Sequence, residues 1–143
     1  MSDITDRLAE ITTAIRTTVA ASTLPNKTKI TVSNKGSDIL TAASQAAGGI
    51  ILEPFPDIEW VAPRIRRVTW SIVIIAAGDP IPAADRCHAL IDLVEAAGAV
   101  AWRAGESQAR SSVFPLGPDE TSPRIPGYTI TVTEEHQIRK ALA

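Results

Sequence analysis

The chain has one cysteine, Cys87, two histidines and only 4% aromatic residues. A single thiol excludes an intrachain disulfide and any metal site built from several cysteines. Neither charge sign is in large excess: the formal net charge is -2 over 143 residues, with the signs interleaved. Bulk attraction to nucleic acid or to an anionic membrane therefore has no basis here. The longest apolar run, Ile72 to Gly78, falls far short of the ~20 residues a membrane-spanning helix needs, and no membrane partner is expected. The opening MSDITDRLAE has no basic segment followed by an apolar run, so no secretory signal is read there. Also missing are a GxSxG elbow, a GxxxxGK phosphate loop, a GxGxxG turn and an HExxH pair. No cofactor is expected.

What remains is 45% hydrophobic and 21% charged, the composition of one folded domain spanning 1–143. Ile4, Leu8, Ile11, Ile15 and Val19 recur at spacings of three and four, which predicts an amphipathic helix ending before Pro25. Asp6, Arg7, Glu10 and Arg16 are assigned to its outer surface. Lys29–Ser33 alternates as a short strand with Ile30 and Val32 inward. SDILTAASQAAGG is read as a loop, with a short helix capped by Ser37 and ending at Gly48 as the alternative. Ile50–Glu53 is a second strand, closed by Pro54 and Pro56.

Arg67–Ala77 is the clearest strand. Val68, Trp70, Ile72, Ile74 and Ala76 share one face, while the other runs from Arg67, Thr69 and Ser71 to Val73 and Ile75. One face apolar throughout and one turning apolar predict a central strand that becomes buried on both sides. After Gly78-Asp79-Pro80, a helix opening at Pro82 carries the stripe Ala84, Cys87, Ile91, Val94 and Gly98, widened by Leu90 and Leu93. Trp102 is expected to close the end of the core. Arg103 to Pro126, with four prolines and two glycines, is read as a long irregular loop of the kind that works on a partner. Tyr128, Ile130 and Val132 alternate with threonines as a last strand, and a charged tail, EEHQIRK, follows. The expected fold is α+β: a two-layer sandwich whose mostly antiparallel sheet of about four strands carries two helices on one face. Its other face, rich in Thr and Ser, is left to solvent or to another subunit.

Reactive groups are sparse. Asp85, His88 and Asp92 sit at helical spacings that could orient an imidazole or hold a metal, but no further ligand accompanies them and a solvated helix face is the simpler reading. Cys87 reads as a small buried hydrophobe, and His136 as a tail residue without a fixed partner. Glu134 and Glu135, adjacent on a strand, point to opposite faces. Catalytic, cofactor-binding and metal sites are therefore assigned to no residue. Arg64, Arg66 and Arg67 form the one local basic cluster, either a solvated strand entry or a contact with protein or DNA. Trp60 fits a core or an interface equally well. The residues assigned to a subunit or partner interface are Trp60, Arg64, Arg66, Arg67, Phe114 and Glu134.

The segments ITDRLAEITTAI, IILEPFPDIEW, RVTWSIVIIAAGD, AADRCHALIDLVEAA and GYTITVTEE, in this order, cover most of the chain. In that order the chain resembles a tail terminator (tail completion) protein of long-tailed bacteriophages. The resemblance implies a structural virion protein at the head-proximal end of the tail, assembled in the host cytoplasm. It would be a homo-oligomer, a hexameric ring that caps the tube and stops its polymerisation. Its partners would be the major tail tube protein and the head-tail connector (neck) protein, with genomic DNA passing through the lumen. Two other readings are a head-completion or neck connector protein of the same virion, and a small cytosolic enzyme or ligand-binding domain centred on His88 and Asp92.

Overall fold

The strand centred on Trp70 is the spine of the molecule. The computed structural model describes residues 3–101 and 106–137. Their order is α1 (Asp3–Ala21), a 3-10 turn (Lys27–Lys29), β1 (Thr31–Ser33), α2 (Asp38–Ala43), β2 (Gly49–Leu52), β3 (Asp57–Ala62), β4 (Ile65–Ile75), α3 (Pro80–Ala101), β5 (Glu106–Pro115) and β6 (Arg124–Gln137). β4 pairs antiparallel with β6 along its whole length, from Ile65 opposite Gln137 to Ile75 opposite Gly127. β5 lies antiparallel on the far side of β6. The other flank of β4 is shared: β2 takes Ile72–Ile75, β3 takes Ile65–Thr69, and β1 joins β2 in parallel. The result is one mixed, six-stranded sheet.

The alternation read in β4 explains how the layers form. Val68, Trp70, Ile72 and Ile74 meet Ile11, Ile15 and Val19 of α1 and Cys87, Leu90 and Val94 of α3 in the main core. Both long helices thus lie on one face, as expected. On the opposite face Val73 and Ile75, with Ile51 of β2, form a smaller core under Ala42 and Ala43 of α2, flanked by Phe114, Leu116 and Ile125. Burial of β4 rises along its length from half-exposed Ile65 to fully covered Ile72–Ile75 on both faces.

Several expectations are corrected. Among the described residues the sheet has six strands rather than about four, and there are three α-helices rather than two. Within the segment read as a loop, Asp38–Ala43 forms α2, a shorter form of the alternative helix after Ser37, which makes no side-chain capping bond; Ala42 packs so close to β2 that a Cβ on Gly49 would stand 2.5 Å from the Ala42 Cβ. Much of the expected irregular loop is β5, joined to β6 by a turn held by Leu116 N–H donating to the Pro123 carbonyl at 2.8 Å. β5 lacks apolar alternation because it is an outer strand, exposed over most of its length; its backbone ladder to β6, rather than burial, holds it. β6 extends through Gln137, into what reads as a tail. β3 has no sequence signal of burial, since all six of its residues are exposed. In α3 the buried stripe is Cys87, Leu90, Val94, Ala97 and Gly98, while Ile91 is half-buried and Ala84 is exposed. Trp102 lies outside the described residues.

Candidate functional site

The strand alternation that builds the core also separates the arginines. Arg66 and Arg67 point to opposite faces of β4. Arg67 stands between Glu59 of β3 and Glu135 of β6, at 3.7 and 3.6 Å, partly exposed ion pairs of small energetic weight. Arg66 sits on the helix-side face, opposite Trp60 in β3 and His136 in β6. Arg64 lies in the two-residue turn between β3 and β4, in the left-handed region at φ 64°. The strand pleat therefore splits Arg67 from Arg66. Phe114 is half-buried in the smaller core, a packing residue rather than a free anchor.

Glu134 is removed from the interface set, because it is 0% exposed. Its Oε1 accepts from Arg7 Nε at 3.1 Å, Trp70 Nε1 at 3.0 Å and His136 Nε2 at 3.1 Å, while Oε2 accepts from Arg7 Nη2. Arg7 also donates to Glu10 at 3.0 Å. A carboxylate taken out of water needs such a set of donors. Burial acts to lower the Arg7 pKa, yet hydrogen bonding and the charge of Glu134, then of Glu10, outweigh it and raise it. The reading of Arg7 as a surface residue and of His136 as a partnerless tail residue is thus corrected: both are buried. The signal was present. Arg7 lies on the stripe of Ile4, Ile11 and Ile15, and Glu134 and His136 continue the inward face of Ile130 and Val132. His136 is only 3% exposed, so the Glu134–His136 pair faces no surface, and it is the Arg7–Glu134 bond that fastens α1 to the sheet.

His88 lies on the exposed face of α3, its Nε2 2.9 Å from the Tyr128 hydroxyl, with the rings edge to face at 5.6 Å. This contact ties α3 to β6. Among the described residues, no group of three His, Cys, Asp or Glu side chains is placed to hold a metal.

The molecule's outward chemistry lies at its edges. β3 carries exposed Ile58, Trp60 and Val61, with Trp60 65% exposed. Just before it, Phe55 stands 90% exposed between Pro54 and Pro56. β5 presents a polar outer edge, Glu106 to Ser112, and the sheet face behind it bears Thr69, Thr129, Thr131 and Thr133. Among the described strands, β3 pairs only with β4 and β5 only with β6, so each leaves a row of backbone groups available for strand addition. β1 differs, because Arg16 reaches over it and donates to the Val32 carbonyl at 3.1 Å. Beside that contact, α1 and the Lys27–Val32 segment enclose a groove of about 430 Å³ with Arg16 and Lys27 on its wall and Val19, Ala20, Ile30 and Val32 as its apolar lining. The arrangement suits contacts between surfaces: two unlike open strand edges on a stiff sheet. No family model, curated protein or solved structure matches the chain.

Proposed function

We propose that this chain is a structural subunit that joins copies of itself head to tail into a ring, and that the ring caps the tail tube of a long-tailed bacteriophage. The observation that carries the reading is the pair of unlike open edges: apolar, aromatic β3 on one flank and polar β5 on the other. Two different patches on one subunit make heterologous contacts, and these close into a ring when the rotation between neighbours divides a full turn. The long β4–β6 pair, clamped by α1 and α3, supplies the rigidity that keeps that rotation constant. The order of elements supports placing such a ring at the end of a tail tube, where it halts tube growth and presents a surface to the neck protein.

Sedimentation velocity and negative-stain microscopy of the purified chain, alone and mixed with tail tubes, test the reading. Rings seated on tube ends, with tubes that stop elongating, are expected. A chain that stays monomeric at tens of micromolar and leaves tube length unchanged would overturn it.

A further inference from the structure

The sequence Glu53-Pro54-Phe55-Pro56-Asp57 bridges β2 and β3 along one flank of β4. Prolines at 54 and 56 fix their own φ angles and push Glu53 and Phe55 towards extended geometry. The Phe55 ring, 90% exposed, is thus a preorganised apolar knob between two carboxylates, and little conformational entropy is lost when it docks.

The groove beside β1 has the complementary chemistry. Its lining is apolar, its charged members are Arg16 and Lys27, and no acid lines it. Both cations are held in place: Arg16 on the Val32 carbonyl, and Lys27 Nζ on the Ala20 and Ser22 carbonyls at 2.8 and 3.0 Å. Its volume of about 430 Å³ lies within the range of natural ligand pockets and admits an aromatic ring. Knob and groove are distinct surfaces of one chain, both apolar at the centre and opposite in charge.

We propose that Phe55 of one copy seats in this groove of the next, with Glu53 and Asp57 meeting Arg16 and Lys27. This rests on the ring reading and names one of its contacts. One aromatic side chain buries about 150–250 Å², against roughly 1,600 Å² in a standard stable interface. The knob therefore sets register and direction within a larger surface that the open edges complete.

A charge-swap cycle read by sedimentation tests it. Lys27→Glu and Asp57→Lys should each weaken assembly by roughly tenfold, and the double variant should return to within a few-fold of wild type by re-pairing the reversed charges. Ala20→Tyr, which fills the groove from an exposed helical position, and Phe55→Ser should weaken it similarly while leaving the melting temperature of the subunit unchanged. If the single variants assemble normally, or if the double variant is no better than the sum of the two, the knob contact is wrong and the ring stands. If the wild-type chain never associates, with or without tubes, both fall.

Discussion

Arg7 holds Glu134 by two guanidinium nitrogens across 127 positions of sequence, joining the first helix to the last strand inside the core. Removing one partner of such a buried pair strands the other charge, at a cost of about 3–5 kcal/mol. Arg7→Ala should lower stability by that amount in urea denaturation. Arg7→Met with Glu134→Gln should recover most of the loss, because both charges go while the amide oxygen can still accept from Trp70 and His136. A double variant as unstable as the single one would refute this account.

Cys87 provides the pH prediction. Burial pushes its thiol pKa up from the ordinary 9.0, and a hydrogen bond with the Ala76 backbone offsets part of the rise. The folded state favours the protonated thiol, so its contribution is fully present below the unfolded pKa and is lost as pH rises through the folded one. Stability should be insensitive to this group at neutral pH and fall above about pH 9, and the alkaline fall should be shallower in Cys87→Ala. The native thiol should react with a disulfide reagent on the order of a hundredfold more slowly than the unfolded one.

Gly127 lets β6 cross β4 closely. A Cβ there would stand 2.4 Å from the Ile74 carbonyl oxygen and 3.0 Å from the Phe114 ring. Gly127→Ala should therefore destabilise the fold by about 1–3 kcal/mol, measured by chemical denaturation, whereas Gly36→Ala, with nothing within 4 Å of the new methyl, should change it by less than about 0.5 kcal/mol.

Trp60 and Trp70 differ in exposure, 65% against 0%. In a Trp102→Phe background, acrylamide should quench the fluorescence of Trp60 readily, and Trp60→Phe should remove that accessible component. If β3 is a subunit contact, assembly should shield the same component. Unchanged quenching in assembled material would take β3 out of the interface.

Much of this structure is legible in the residues. The stripe of α1 and the alternation of β4 are strong because each element buries one continuous apolar face, and burial is what sequence periodicity records. β3 and β5 are illegible for the same reason. They are outer strands whose backbones pair while their side chains meet water: β5 carries no apolar alternation, and the short alternation of Ile58 and Trp60 in β3 lies on exposed residues. Among the candidate site residues, Trp60 is an exposed aromatic that sequence placed equally well in a core. Glu134 continues the inward alternation of Ile130 and Val132, but its donors from α1 and β4 are partners no local pattern reveals. The separation of Arg66 from Arg67 follows from the pleat alone and was available from the outset.

The clasp between residues 7 and 134 also dictates when the protein can mature during synthesis. A ribosome delivers α1 first, at roughly 5–20 residues per second, but the carboxylate that neutralises Arg7 emerges only after nearly all the described strands have followed. Until then the sheet lacks β6, and Arg7 has only the partly exposed Glu10 as counter-charge rather than the buried Glu134. Nascent chains stalled before β6 should therefore remain open and protease-sensitive, and the chain should complete its fold in a single late event rather than growing stepwise from α1.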